Sequence, residues 1–64
     1  MKFNIDEYVQ NSRTGQVGRV IGYGHEMINN VYTITLKVLI AEAANSSKRL
    51  LVLEDGVSAW SLMS

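Results

Sequence analysis

Four glycines punctuate the segment Thr14–Gly24, TGQVGRVIGYG, and restrict the fold more than any other feature of the chain. Gly15 and Gly18 suit a tight turn or the close approach of another backbone, because glycine has no Cβ and accepts positive φ. Val20 and Ile21 are β-branched and favour an extended strand directly after these glycines. In a chain of 64 residues, this punctuation indicates a small, strongly bent all-β domain.

The size of the chain predicts a single domain over residues 1–64, near the lower limit for folding without help. The sequence contains no cysteine and one histidine, which excludes disulfides and the usual zinc arrangements. Apolar residues make up 47% of the chain, which is enough for a real core. Packing, and association with a partner chain, are therefore the stabilising forces that remain.

The charges of the chain balance, with six basic and six acidic residues. Proteins that bind nucleic acid through phosphate contacts usually carry a basic excess or a basic face. The basic residues are instead scattered along the sequence: Lys2, Arg13, Arg19, Lys37, Lys48 and Arg49. The net charge therefore does not favour nucleic acid as a partner, although it leaves open a small basic patch assembled in space.

The start of the chain, MKFNIDEY, has no hydrophobic run of the kind found in a signal peptide. The longest apolar stretches are far shorter than the roughly 20 residues that span a bilayer. We therefore expect a cytoplasmic protein without a membrane span.

The clearest strand pattern covers Val31–Ile40, where apolar and polar residues alternate. The face that we expect to fill the core carries Tyr32, Ile34, Leu36, Val38 and Ile40. The other predicted strands are Val17–Tyr23, Leu50–Leu53 and the end of Val57–Met63, and Phe3–Gln10 is predicted to contain a lead-in and the first strand. The predicted connections are Asn11–Gly15, Gly24–Asn30, Ala41–Lys48 and Glu54–Gly56.

Five short strands without a repeat or a linker fit a closed sheet, because closure removes exposed strand edges. A five-stranded SH3-like barrel fits these strand lengths best. We further expect Ile5 and Val9 in the core, the Leu50–Leu53 strand covered on both faces, and an inward last strand. The inward residues of that last segment are Val57, Trp60 and Leu62.

The motif order along the chain resembles known families of small SH3-like barrels. The resemblance rests on Tyr8-Val9, the run Thr14–Ile21, a long central strand, and Glu54-Asp55 before Trp60. KOW-type domains share a glycine pair before such a strand, and the small SH3-like proteins of photosystem I are similar in size and layout. The resemblance implies an SH3-like fold with three possible roles, which are protein docking, complex assembly and nucleic-acid contact.

Catalytic chemistry finds little support in the sequence. Gly22–Met27 begins like a dinucleotide-binding fingerprint, but Met27 stands where the third glycine belongs and no helix pattern follows. His25-Glu26 is the one place for an acid–base pair, and an exposed polar loop is the simpler interpretation. We expect no enzyme, no catalytic residue, no cofactor and no metal.

The aromatic residues are the best candidates for binding. Tyr23 lies between two glycines, so its ring faces are open to a partner, whereas Trp60 is favoured as a core or rim residue. The candidate partner-binding residues are Arg13, Arg19, Tyr23, His25, Glu26 and Trp60.

Three functions stay open from these residues. The first is a non-enzymatic module that binds a protein partner or assembles a complex. The alternative is a KOW-like RNA-binding domain that contacts phosphate through Arg13, Arg19, Lys48 and Arg49. A homodimer through Leu39 and Leu50–Leu53 is the third.

Overall fold

The computed structural model describes residues 2–42 and 49–63, which form five antiparallel strands. These are β1 (Tyr8–Asn11), β2 (Val17–Ile28), β3 (Val31–Glu42), β4 (Arg49–Gly56) and β5 (Trp60–Leu62), with a 3₁₀ helix at Val57–Ala59. The strand order in the sheet is β4-β3-β2-β1-β5, and β4 and β5 are not paired within the described residues. The predicted all-β fold with five strands is confirmed, but the predicted closure is wrong, because the described strands form one open sheet. None of the described residues forms a helix that is long and apolar enough to cross a membrane.

Strands β2 and β3 form a long hairpin of 12 residues each, which is longer than the sequence pattern predicts. The predicted loop Gly24–Asn30 is wrong, because the pairing continues from Gly24↔Thr35 to Ile28↔Val31. Only Asn29 and Asn30 form the turn, with φ of 51° and 64°. Two central residues with positive φ are typical of a type I′ turn, whose twist matches that of the flanking strands.

The type I′ turn makes a prediction for Asn30. Because glycine adopts positive φ without steric cost, Asn30→Gly should stabilise the protein, by about 0.5 kcal/mol. Asn30→Val should instead destabilise it by about 1–2 kcal/mol, since a β-branched side chain is strained at this φ. Urea denaturation of the two variants checks both signs, and a loss of stability in Asn30→Gly would contradict the turn assignment.

The core lies on one face of the sheet, around the first half of β2 and the second half of β3. Its buried apolar residues are Phe3, Val9, Val20, Leu36, Val38, Ile40 and Trp60. Leu53, Val57 and Ala59 pack against this cluster. The inward placement of Val9 is therefore confirmed, whereas the prediction for Ile5 is wrong because Ile5 is exposed.

The predicted inward face of β3 is correct only in its second half. Leu36, Val38 and Ile40 are buried, whereas Tyr32 and Ile34 are exposed. The reason is that the pairing of β3 with β4 ends at Thr35↔Gly56. The first residues of β3 pair with β2 alone, so the tip of the hairpin extends beyond the rest of the sheet.

Strand β1 begins at Tyr8, so Phe3–Glu7 are the lead-in to the first strand, and Phe3 is buried. Other local predictions need correction. Glu54–Gly56 belongs to β4 instead of forming a turn. Leu51 and Val52 are exposed, so this strand is not covered on both faces, and Leu62 is also exposed. Of the predicted loop Ala41–Lys48, residues 41 and 42 belong to β3 and residues 43–48 lie outside the described residues.

Candidate functional site

An open groove runs between the tip of the β2–β3 hairpin and the 3₁₀ helix. We call it the hairpin groove, and its volume is about 680 Å³. Its lining residues are Lys2, Tyr32, Thr33, Ile34, Val57, Ser58 and Trp60. The groove combines an apolar surface with one cation and three hydroxyl groups.

Tyr32 forms the most exposed aromatic wall of the hairpin groove, at 71% exposure. Its ring stacks on the imidazole of His25, with the ring centroids 5.4 Å apart and the planes within 7° of parallel. His25 pairs with Ile34 and Tyr32 pairs with Met27, so the two rings are diagonal neighbours on one face of the hairpin. The stack holds the tyrosine ring in place while leaving its outer face open.

His25 and Glu26 do not form an acid–base pair. Both lie within β2 instead of the exposed loop that the sequence indicates. Neighbouring residues of a strand point to opposite faces, so His25 stacks on Tyr32 while Glu26 lies on the face opposite His25, paired with Thr33. The two side chains therefore cannot act on one substrate atom.

Trp60 is a core residue that also lines the hairpin groove. Its side chain is only 4% exposed, and its Nε1–H donates a hydrogen bond to the carbonyl oxygen of Asp55 at 3.3 Å. The preference for core or rim packing at Trp60 is consistent with this position. Trp60 thus fixes the base of the groove next to Val57 and Ser58.

Tyr23 is partly exposed and lies next to the core-facing half of the hairpin, paired with Leu36. Its hydroxyl donates a hydrogen bond of 2.6 Å to the carbonyl oxygen of Phe3. This bond ties the segment before β1 to the middle of β2. The hydroxyl of Tyr23 therefore has an internal role, and one part of the ring remains open to solvent.

Asp55 is the centre of a polar cluster beside a second, smaller groove of about 400 Å³. Its carboxylate accepts hydrogen bonds from Arg13 Nη2 at 2.6 Å and Nε at 3.3 Å, and from the buried Asn11 at 3.1 Å. The backbone N–H of Gly56 donates a further bond at 2.8 Å. These contacts attach the turn after β1 to the end of β4.

The environment of Asp55 changes its acidity. The hydrogen bonds from Arg13 lower the pKa of this carboxyl below its ordinary value, although its limited solvent exposure acts in the opposite direction. The same contact raises the pKa of the Arg13 guanidinium. Asp55 and Arg13 are therefore an ion pair at neutral pH.

The structure separates the candidate partner-binding residues. His25 and Trp60 lie at or beside the hairpin groove, and Arg13 lines the smaller groove next to it. Arg19 lies apart, paired with Tyr8 and Leu39 on the opposite face of the sheet, and forms an ion pair of 3.1 Å with Asp6. Lys48 and the side chain of Arg49 lie outside the described part of the chain.

Tyr32, Ile34 and Asp55 are residues of these surfaces that the sequence pattern misassigns. Alternation places Tyr32 and Ile34 in the core, and the acidic pair Glu54-Asp55 is typical of a simple turn. One signal could have corrected Tyr32. Asn29-Asn30 between two apolar runs is typical of a two-residue hairpin turn, which makes the strands on both sides longer.

Comparison of the chain with protein-family models, with curated proteins and with solved structures found no match.

Proposed function

We propose that this protein is a non-enzymatic interaction module and one member of a larger complex. It binds a protein partner through the hairpin groove. The observation that carries the proposal is the exposed Tyr32 ring, held by its stack on His25 above an apolar groove. Exposed aromatic residues in well-formed surface depressions are the typical anchors of protein interfaces. The stack restricts the Tyr32 side chain before binding, so less conformational entropy is lost when the partner binds.

We further propose that the five strands belong to an SH3-like barrel that stays open between β4 and β5. Three observations support this architecture: the strand order β4-β3-β2-β1-β5, the register shift between Val20 and Gly22, and the 3₁₀ helix before β5. A register shift bends a long strand, so the two halves of β2 can lie in two differently oriented parts of a curved sheet. The hairpin groove would then lie at one end of the barrel.

The groove indicates what kind of segment a partner presents. Ile34, Val57 and the Tyr32 ring favour an aliphatic or aromatic side chain. Lys2 adds a positive charge at the same groove, and its Nζ lies 5.7 Å from the centre of the Phe3 ring. An extended segment with an apolar residue next to an acidic one meets both features.

The alternative function, RNA binding through phosphate contacts, receives less support from the contacts of the basic residues. Arg13 and Arg19 each form an ion pair with a carboxylate, Asp55 and Asp6 respectively. A phosphate would have to compete with these carboxylates for the guanidinium groups. A salt titration separates the two functions, because affinity for RNA that depends on several phosphate contacts falls steeply with ionic strength.

Substitution of Tyr32 tests the proposal directly. We expect Tyr32→Ala to weaken binding of the partner at least tenfold, because the substitution removes the aromatic anchor of the groove. The partner is first identified by affinity capture from the protein's own cells with the wild-type chain, and the two dissociation constants are then measured by calorimetry. The matched control is Tyr8→Ala, since Tyr8 is 58% exposed but lies on β1, outside the groove.

The control should bind within about threefold of the wild type. Equal weakening in both variants would place the contact elsewhere, and unchanged binding in Tyr32→Ala would exclude the hairpin groove. Capture of RNA with a steep salt dependence, in place of a protein, would support the alternative function.

A further inference from the structure

The outer edge of β4 presents backbone groups that no described strand pairs. Strand β4 pairs with β3 from Arg49 to Gly56, and the sheet order places β4 at the end. The strand has eight residues, so this edge is about 26 Å long. The opposite end of the sheet differs, because β5 has only three residues.

The centre of the β4 edge lacks the features that usually prevent strands from pairing between molecules. Charged residues, proline, bulges and short strands normally protect an edge. The central run Leu50–Leu53 contains no charged residue, no glycine and no proline. Leu51 and Val52 are adjacent, point to opposite faces and are 43% and 51% exposed. A strand that added to this edge would therefore cover apolar side chains on both faces.

The sequence around β4 is complementary to itself in an antiparallel arrangement. The basic pair Lys48-Arg49 precedes the apolar run and Glu54 follows it, whereas the carboxylate of Asp55 is already paired with Arg13. When two such segments run in opposite directions, the basic start of each lies beside the acidic end of the other. The net charge of the chain is zero, so two copies do not repel each other over a distance.

We propose that a second copy of this chain pairs with the β4 edge and forms a symmetric dimer with one continuous sheet. A two-fold axis perpendicular to the sheet keeps the same face on the same side in both copies. Residues that lie opposite each other must point to the same face, so their numbers are both odd or both even. The axis therefore passes between the two copies of Leu51 or between the two copies of Val52. Both registers place the apolar runs side by side. This interface is separate from the hairpin groove and does not depend on the function proposed for it.

The test is the mass of the protein in solution over a range of concentrations, measured by size-exclusion chromatography with light scattering. The wild type should approach twice the chain mass of 7.1 kDa as its concentration increases. Val52→Lys should remain at the mass of one copy, because the two lysines would lie opposite or diagonal to each other across the axis. Val31→Lys is the matched control, since Val31 is similarly exposed to solvent at the hairpin tip and should dimerise like the wild type.

Amide hydrogen exchange locates the interface independently. The amides of Leu50–Leu53 should exchange more slowly at the concentration where the dimer forms, and those of β5 should not change. A wild type that stays at the mass of one copy at millimolar concentration would overturn the proposal. So would a Val52→Lys variant that dimerises normally, or a larger assembly in which the β4 edge meets β5 of the next copy.

Discussion

Gly18→Ala should destabilise the protein by about 3 kcal/mol, at the upper end of the range for overpacking a core. Gly18 is buried in β2 and pairs with Val9 of β1 and Ile40 of β3. A Cβ at this position would lie 2.7 Å from Val38 Cγ1 and 2.8 Å from Ile40 Cδ1, and it would also collide with the carbonyl oxygen of Leu39. The backbone oxygen cannot move without breaking the pairing of β2 with β3.

The loss is large in relation to the whole stability of the chain. A domain of 64 residues has a free energy of unfolding of about 3–10 kcal/mol, so Gly18→Ala should remove about a third of it or more. Urea denaturation followed by tryptophan fluorescence measures it, because Trp60 is the one tryptophan and is buried in the same core.

Gly22→Ala provides the matched control on the same strand. A Cβ on Gly22 would meet only Lys37 Cδ, at 3.8 Å, which is an ordinary van der Waals contact. We expect Gly22→Ala to change the free energy of unfolding by less than about 1 kcal/mol. Equal effects at the two glycines would contradict the close packing of β1, β2 and β3 around Gly18.

Asp55→Asn should lower the stability at pH 7 by about 2 kcal/mol, the second largest effect that we expect. Both carboxylate oxygens accept hydrogen bonds, from Arg13, Asn11 and Gly56, and the Asp55 side chain is only 12% exposed. In Asp55→Asn an NH₂ group replaces one of the two accepting oxygens and faces a hydrogen-bond donor. At least one of these bonds is therefore lost. Asp6→Asn is the control, since Asp6 forms an exposed ion pair that should contribute less than about 0.5 kcal/mol.

The dependence of stability on pH gives a second measure of Asp55. The pKa of Asp55 is lower in the folded protein than in the unfolded chain, where it is about 4. Its contribution is therefore complete above pH 4 and is lost as the pH falls through the pKa of the folded state. The difference in stability between the wild type and Asp55→Asn should shrink below pH 4. A constant difference down to pH 2 would contradict the role of the carboxylate.

The strand content of the fold follows from local patterns in the sequence. Alternation in β3, Gly15 before β2 and polar turn residues after β1 indicate an all-β chain, and each lies where a strand or turn is found. The extent of pairing does not follow from these patterns. Gly24–Ile28 contains polar and glycine residues typical of a loop, yet it pairs because the Asn29-Asn30 turn holds β3 against it.

The candidate site follows less well from the sequence, because burial depends on which strands are neighbours. Tyr32 and Leu36 share one face of β3, and only Leu36 is buried, since β4 ends opposite Thr35. Asp55 and Arg13 are 42 residues apart in the chain, so no local pattern relates them. Trp60 is easier to place, because a large aromatic residue in a short chain is usually needed in the core.

Photo-crosslinking at position 32 is the most direct test of the proposed docking surface. A photoreactive phenylalanine analogue replaces Tyr32 in one variant and the exposed Tyr8 in the other, and both proteins are irradiated in the cells that normally contain the chain. The proposal expects one protein adduct at position 32 that is absent or much weaker at position 8. No adduct at position 32, or the same adducts at both positions, would contradict it.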